Sequence, residues 1–259
     1  MFTKQTLSNP VEAVRKEHAP DALVLSCDQD FETVPSAQAE DLLLLTDSID
    51  PVSYDPSWIP PDSPEPLVQY ASDQLTIGMP GDGGIAWTRQ TEPPLVFEKP
   101  RLTGSPESFI DFLRAEALVQ IGLEEPEHFL GFFGSSYPEF ADATADHLSP
   151  AETYQLAAAC YEAYLGLQTR AVFADWEGPL FDAWVDAGQR LEGRLSDLPS
   201  AVAQGRTSFT DAAELACSAI KHAAELPAPF GALNASVYLD HGPEYATAWA
   251  ERTLDAIAE

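Results

Sequence analysis

Hydrophobic and polar positions follow two different patterns along this chain. Residues 74–101 read QLTIGMPGDGGIAWTRQTEPPLVFEKPR, in which short apolar runs are separated by turns rich in Gly and Pro. This pattern is typical of antiparallel strands joined by tight turns, and it predicts strands at 74–79, 85–90 and 95–99. From residue 103 onward the apolar residues recur at steps of three and four, the period of an amphipathic helix. The sequence therefore predicts an α+β fold, in which a small antiparallel sheet (a meander) and N-terminal helices pack against a C-terminal helical bundle.

The N-terminal part of the chain predicts shorter elements. Asn9-Pro10 is a helix start, and the apolar run 22–27 (ALVLSC) predicts a strand onto which residues 31–34 can fold back. Residues 36–48 predict a second helix. Between residues 51 and 66 there are six prolines, which forbid a regular element.

The C-terminal part contains several helix start signals. Ser149-Pro150-Ala151-Glu152 is a capping box, the clearest local signature in the chain. Further helix starts are predicted at Ser105-Pro106, Glu125-Pro126, Gly178-Pro179, Ser208 and Gly242-Pro243. Residues 234–239 predict a loop or a short strand. We expect residues 1–102 to form a mixed α/β region and residues 103–259 a helical bundle, unfolding together as one cooperative unit.

The net charge of the chain indicates its environment. The 259 residues include 42 Asp and Glu against 13 Lys and Arg, which gives a net charge of −29 at pH 7. At low salt such a surface repels itself, whereas at molar salt the Debye length falls to roughly 3 Å and most of the repulsion vanishes. The acids are spread through the predicted helices rather than gathered in a tail. This favours a cytoplasmic protein of a salt-accumulating cell over an ordinary acidic protein with a basic partner. In whole-chain composition the sequence resembles an uncharacterised, halophile-adapted family of acidic haloarchaeal proteins of unknown function, a resemblance that implies no site residues.

The same charge argues against two classes of partner. Binding to nucleic acid or to an anionic membrane surface needs a basic patch, and the sequence has no run rich in Lys or Arg. The N-terminal sequence lacks the apolar region of a signal peptide, and the longest aliphatic run, 42–45, is too short to span a bilayer. Cys27, Cys160 and Cys217 are far apart and odd in number, which is typical of reduced, mostly buried thiols in a cytoplasmic protein.

Motifs for catalysis or metal binding are weak. The Gly-rich segment 78–84 precedes a predicted strand rather than the helix N-terminus that a phosphate loop requires, so we interpret it as a turn. Glu125 and His128 match one half of a di-iron motif whose second half is missing. His222 lies beside an apolar helix stripe, where we expect a hydrogen-bonded boundary residue. We predict neither a metal site nor a cofactor, and the sequence leaves open whether the chain is an enzyme.

The scarce cations are more informative than the abundant acids. Arg89, Lys99 and Arg101 are concentrated in the predicted meander, and Arg114 follows on the next helix. Trp87 and Arg89 point the same way because side chains alternate along a strand. An aromatic ring beside several cations can form a pocket for an anion or a carboxylate. Alternatively, these cations pair with neighbouring acids such as Glu98 and have no ligand.

Two functions are consistent with the sequence. The first is a non-enzymatic binding or protein-interaction protein of the cytoplasm, favoured by plentiful aromatic residues and missing catalytic motifs. The second is an enzyme or small-ligand binder that takes an anionic metabolite at the surface formed by Arg89, Lys99 and Arg101. A flat, exposed apolar surface would favour the first function, and a deep pocket lined by the cations would favour the second.

Overall fold

The computed structural model describes residues 2–31, 34, 36–72, 74–78 and 83–258, with the backbone only for 36–38. The chain forms two compact units. Unit 1 contains Met1–Asp55, Glu65–His128 and Glu177–Ala183, and unit 2 contains Pro56–Pro64, Phe129–Trp176 and Trp184–Glu259. This division groups residues that are close in space, whereas the predicted regions 1–102 and 103–259 differ in the spacing of their apolar residues. That these regions unfold cooperatively stays a prediction.

Unit 1 combines a small sheet with helices, which confirms the α+β class. Its elements are, in chain order, β1 (Phe2–Lys4), α1 (Asn9–His18), β2 (Leu23–Cys27), α2 (Ser36–Leu42), β3 (Ser48–Ile49), α3 (Glu65–Gln69), β4 (Ile85–Thr88), β5 (Thr91–Glu92), β6 (Leu95–Glu98) and α4 (Glu107–Gly122).

The main sheet has the strand order β1-β2-β6-β4. Strands β4 and β6 form the predicted antiparallel hairpin, with Ile85 opposite Glu98 and Thr88 opposite Leu95. The pairing of β2 with β6 is parallel, with Leu23 opposite Leu95. The sheet is therefore mixed rather than purely antiparallel, and β1 is a strand that the sequence pattern did not predict.

One predicted strand, the first strand of the meander, is wrong. The described residues 74–78 form a single bridge at Thr76 instead of the first meander strand. The carbonyl of Leu75 accepts from the Val34 backbone N–H, and that of Thr76 accepts from the Gln90 side chain, so neither contributes to a ladder with β4. The predicted pairing of 31–34 with β2 depends on residues 32 and 33, which are not described, while β1 and β6 lie at the two edges of β2. Residues 32, 33 and 79–82, which include most of the predicted turn, lie outside the described residues.

A second, two-stranded sheet joins β3 to β5, with Ser48 opposite Glu92 and Ile49 opposite Thr91. Helix α2 ends at Leu42, earlier than residue 48, because the following residues turn toward β3. Backbone N–H groups of Asp47 and Asp50 then donate to the carbonyls of Glu92 and Gln90, which fixes this segment beside β5.

Helix α4 is buried over most of its length and packs against α1, β4 and β6. Its last residue, Gly122, allows close approach of the two helices: a Cβ atom there would lie 2.6 Å from the carbonyl oxygen of His18. The requirement for Gly is steric at this position, since any larger residue would push α1 away.

Unit 2 is helical. Its helices are α5 (Phe129–Phe133), α6 (Tyr137–Thr144), α7 (Pro150–Ala174), α8 (Pro179–Leu195, whose first residues belong to unit 1), α9 (Leu198–Ala203), α10 (Phe209–Ser218) and α11 (Ser236–Ala258). Helix α6 was not predicted, and α5 begins at Phe129 rather than at Glu125-Pro126. Of the residues 234–239, those from Ser236 onward lie in α11 instead of forming a loop or a strand.

Capping hydrogen bonds in unit 2 confirm the helix starts predicted at Ser149 and Ser208. The Ser149 hydroxyl accepts from the Glu152 backbone N–H, and the Glu152 carboxylate accepts from the Ser149 backbone N–H, which is the predicted capping box. The Ser208 hydroxyl accepts from the Asp211 N–H at the start of α10. Helix α11 bends at Gly242, where φ is 48° and ψ is −124°, and Pro243 follows the bend.

The three cysteines are free and buried, in agreement with the expectation. Burial raises the pKa of the Cys27 thiol to about 12. Across the described helices, none combines the length and the apolarity that crossing a membrane requires.

Candidate functional site

Arg89 follows β4 and lies over Trp87, with the guanidinium carbon 5.7 Å from the indole centroid. The guanidinium also donates to the backbone carbonyl of Glu125. The Trp87 indole N–H donates over 2.8 Å to Gln120 on α4, and the ring is 9 % exposed. The predicted pairing of an aromatic ring with a cation is therefore present, but the ring is buried and the cation is already hydrogen-bonded.

Lys99 and Arg101 meet at one carboxylate, that of Asp30. The Lys99 ammonium lies 3.6 Å from Asp30, and the Arg101 Nε donates to Asp30 over 2.8 Å. Burial opposes ionisation of Asp30, yet the Arg101 hydrogen bond and both cationic charges outweigh it and lower its pKa. These two cations thus already hold an anionic group of this chain.

Arg114 lies on α4 with a side chain that is 5 % exposed. It contacts three carboxylates, Glu98 at 2.7 Å, Glu107 at 2.7 Å and Asp111 at 2.9 Å. The bond to Glu98 joins α4 to the end of β6. The alternative interpretation from the sequence, pairing with nearby acids, describes this residue well.

The register of the hairpin separates the predicted site residues. Arg89 follows Thr88 at one end of the β4–β6 ladder, whereas Lys99 follows Glu98 at the other end, where its N–H donates to Gly84. Four residues of strand span about 13 Å. One small anion therefore does not reach both ends, and binding of a ligand by Trp87, Arg89, Lys99, Arg101 or Arg114 stays a prediction.

A polar cluster in unit 1 surrounds Glu127, which the sequence did not single out. Its carboxylate accepts from the Thr88 hydroxyl at 3.0 Å to both oxygens, from the Arg89 backbone N–H at 2.8 Å, and from the Gln90 side-chain amide. The single Thr88 hydroxyl proton is shared between the two oxygens, so three donors face the carboxylate. Glu127 thereby joins residues 125–128 to the end of β4.

Aromatic and imidazole rings pack beside Glu127. The rings of Tyr70 and His128 stack with centroids 3.5 Å apart, and Tyr54 lies 6.1 Å from His128. Burial lowers the pKa of His128 well below its usual value, so the imidazole is neutral. Burial, and then the charge of Glu127, raise the pKa of Tyr54. Burial also raises the pKa of Glu127, against the opposing hydrogen bonds from Arg89, Gln90 and Thr88.

The half-motif of Glu125 and His128 does not hold a cluster of metal-binding side chains. His128 is stacked on Tyr70, and the Glu125 backbone carbonyl binds Arg89. Within the described ranges, His, Cys, Asp and Glu side chains do not gather in any group of three or more that could hold a metal ion.

Four aliphatic side chains of unit 1 are exposed to solvent. Leu43 is 52 % exposed, Leu44 82 %, Val52 42 % and Val68 50 %. We call these four residues the aliphatic surface. Leu43 and Leu44 directly follow α2, while the adjacent Leu42 is completely buried and Leu45 packs against the core. The aliphatic run 42–45 therefore presents two of its four leucines to solvent.

Comparison with known proteins gives a family but no activity. No curated protein and no solved structure matches the chain. A family model described as a family of unknown function (DUF7089) matches residues 1–257. Because this match covers nearly the whole chain, the protein belongs to the DUF7089 family of unknown function.

Proposed function

We propose that this chain is a non-catalytic binding protein that contacts a partner protein through its aliphatic surface, in the cytoplasm of a salt-accumulating cell. The observation that supports this proposal is the exposure of Leu43, Leu44, Val52 and Val68, which ranges from 42 % to 82 %. When a partner covers large aliphatic side chains that were in contact with water, the free energy falls by roughly 25 cal/mol per Å² of buried apolar area.

Two groups of unit 1 that could do chemistry, Glu127 and Cys27, are hydrogen-bonded and buried respectively, which favours binding over catalysis. Both oxygens of Glu127 accept hydrogen bonds, which come from Thr88, Arg89 and Gln90. Cys27 is 8 % exposed, and burial raises its pKa, so its thiol is a poor nucleophile.

Native mass spectrometry tests the proposal directly. The tagged protein would be purified from its cells in molar KCl, beside a variant that carries Leu43→Ser and Leu44→Ser. We expect a protein partner to co-purify with the unchanged chain and to be lost from the variant. A matched control changes Val237 and Leu239 of unit 2, which are 38 % and 36 % exposed, to Ser and should retain the partner.

The outcomes of this experiment are distinct. Equal recovery of the partner by the Leu43/Leu44 variant would refute the aliphatic surface as its binding site. Purification of the chain alone, or with a small molecule only, would refute the proposed function.

A second candidate, binding of a small anion beside Arg89, is supported by the position of Arg89 over Trp87. Arg89→Ala would abolish binding of such a ligand, whereas Arg190→Ala, a change at an exposed pair with Asp186, would not. If Arg89→Ala leaves all ligand binding unchanged, this candidate fails.

A further inference from the structure

We infer that the ammonium group of Lys99 binds one small monovalent anion, at the edge of the main sheet where β2 and β6 end. These two strands run parallel, with Ser26 opposite Glu98, so their carboxyl ends meet at this edge. Cys27 is the last residue of β2, and Lys99 directly follows β6. Open α/β sheets commonly bind ligands just beyond the carboxyl ends of their parallel strands, which is where Lys99 lies.

The Lys99 ammonium is buried and incompletely hydrogen-bonded. Its side chain is 2 % exposed, and its ion pair with Asp30 is 3.6 Å long, beyond the range of an N–H···O hydrogen bond. The Phe31 ring centroid lies 5.9 Å from the nitrogen and attracts it only weakly. An ammonium carries three donors, and the residues that the structure describes give it no closer acceptor. Because a buried charge without hydrogen bonds is costly, we expect an acceptor from outside the chain to complete this group.

Two cations share a single carboxylate in this group. The Arg101 guanidinium donates to Oδ2 of Asp30, through Nε over 2.8 Å and also through Nη2. Lys99 faces the other oxygen, Oδ1, at the longer distance. Asp30 therefore neutralises one of the two positive charges, and its hydrogen bonds go to Arg101. An anion at the ammonium supplies the second negative charge, which a water molecule does not.

Backbone hydrogen bonds fix Lys99 on both sides. Its N–H donates over 2.7 Å to the carbonyl of Gly84, and its carbonyl accepts over 3.1 Å from the N–H of Leu102. Gly84 packs closely against Leu102, since a Cβ atom on Gly84 would collide with the Leu102 side chain. The backbone of Lys99 is thus preformed and its side chain is held by burial, so that binding costs little ordering entropy.

The surroundings of the ammonium favour an anion that loses its hydration easily. The Phe31 ring beside it packs edge-on against Phe97, with centroids 5.3 Å apart, and against Phe2 at 5.9 Å. Burial raises the pKa of Cys27 to about 12 against the opposing charge of Lys99, so the thiol adds no charge. Desolvation of a divalent phosphate or sulfate costs more than one ammonium returns. Chloride and a small monocarboxylate share the chemistry that fits, a single negative charge with a smaller desolvation cost.

Molar salt favours this site. The net charge of −29 repels anions at low ionic strength, but molar salt screens that long-range repulsion. Contact with an ammonium that is 2 % exposed is screened much less. One charge-assisted hydrogen bond corresponds to a Kd of roughly 10–100 mM. Chloride at molar concentration would therefore fill the site.

Chloride NMR tests the inference, because the chloride signal broadens when the ion exchanges with a site on the protein. The folded chain would be titrated with KCl in place of KF at a fixed total of roughly 1 M, so that the ionic strength and its screening stay constant. Fluoride is the replacement because its stronger hydration opposes entry into a buried site. Acetate is then added to displace chloride. Displacement at acetate concentrations below the chloride Kd would identify a carboxylate as the preferred anion, and weaker displacement would identify chloride.

We expect saturable broadening in the unchanged chain and its loss in Lys99→Met. Lys16→Met is the matched control, because Lys16 also lies 3.6 Å from a carboxylate, that of Glu12, but its side chain is 69 % exposed. This control should bind chloride like the unchanged chain. Asp30→Asn should bind chloride at least about threefold more tightly, since it removes the negative charge beside the ammonium.

Three results would overturn the inference: no saturable broadening in the unchanged chain, equal broadening in Lys99→Met, or weaker binding in Asp30→Asn. If Lys99→Met does not fold, crystals of the unchanged chain grown in KBr decide the question. An anomalous bromide peak within about 3.5 Å of the Lys99 nitrogen is the expected result. A water molecule at that position, or no peak there, would refute the site.

Discussion

His222 provides a quantitative test of the packing in unit 2. Its Nδ1–H donates over 2.9 Å to the carbonyl of Trp184, and its ring stacks on the Trp184 ring with centroids 6.1 Å apart. A Cβ on Gly188 would lie 3.0 Å from the Cβ of His222, so α8 approaches this residue closely. Burial, followed by the charge of Lys221, lowers the pKa of His222 from 6.5 to about 4.

This shift predicts acid destabilisation with a definite sign. Between pH 6.5 and about 4 the unfolded chain binds a proton at His222 that the folded chain does not. The neutral His222 therefore contributes fully to the free energy of unfolding above pH 6.5, and this contribution is lost as the pH falls through this window. The pKa shift from 6.5 to about 4 lowers the free energy of unfolding by about 3 kcal/mol once the pH is below both values. At pH 5 about 2 kcal/mol of this has been lost.

The assay compares the unchanged chain with His222→Gln, whose amide can still donate to Trp184 but does not titrate. Urea unfolding in molar KCl would give the free energy of unfolding at pH 8 and pH 5. We expect the unchanged chain to lose about 2 kcal/mol more than the variant. His147→Gln, a change at a pair in which the partner Asp255 is 68 % exposed, serves as the control and should change this loss little.

Direct titration of the His222 imidazole by NMR gives a second measurement. A midpoint near 4 is expected from the burial of the ring. A midpoint above 6, or an equal loss of stability in the unchanged chain and in His222→Gln, would refute the reasoning.

Three further predictions concern unit 1, unit 2 and the whole chain. Arg114→Leu should destabilise the chain by about 3–5 kcal/mol in urea unfolding, because Glu98 and Asp111, which are 17 % and 15 % exposed, lose their counter-ion. Ser149→Ala should cost about 1 kcal/mol in thermal unfolding, because it removes the hydroxyl that caps α7. The melting temperature should rise steeply between roughly 0.1 M and 3 M KCl, because salt screens the repulsion of 29 net negative charges.

Each of these predictions has its own contrary outcome. A loss below about 1 kcal/mol for Arg114→Leu would mean that the carboxylates reach solvent once the guanidinium is gone. Ser149→Thr preserves the cap and should be nearly neutral, so an equal loss for the Thr and Ala variants would reject the capping explanation. A melting temperature that does not change with KCl would exclude adaptation to salt.

Local features of the sequence predicted local structure well. The capping box at Ser149 and the β4–β6 hairpin depend on residues that are close in the chain, so their patterns are complete in a short window. The parallel pairing of β2 with β6 is not visible in the same way. A strand such as ALVLSC shows that it is buried, but nothing in its own residues states which distant strand lies beside it.

The candidate sites, too, could not be predicted from residues that are close together in the chain. Glu127 is one of 42 acids, and its distinction arises only because Thr88, Arg89 and Gln90 fold against it. The run of four leucines at 42–45 correctly indicated an apolar segment. Which of its members face solvent is decided by the end of α2 at Leu42, a boundary that the leucines themselves do not mark.

The parallel pairing of β2 with β6 also constrains how the chain acquires its structure over time. Leu23 meets Leu95, so about 70 residues must be looped out before the centre of the sheet can close. Closing a loop of this length costs about 4 kcal/mol of chain entropy, which the contacts of the sheet recover only afterwards. During synthesis β2 therefore has to wait on the ribosome until β6 has emerged, with β1 alone available to cover one of its edges.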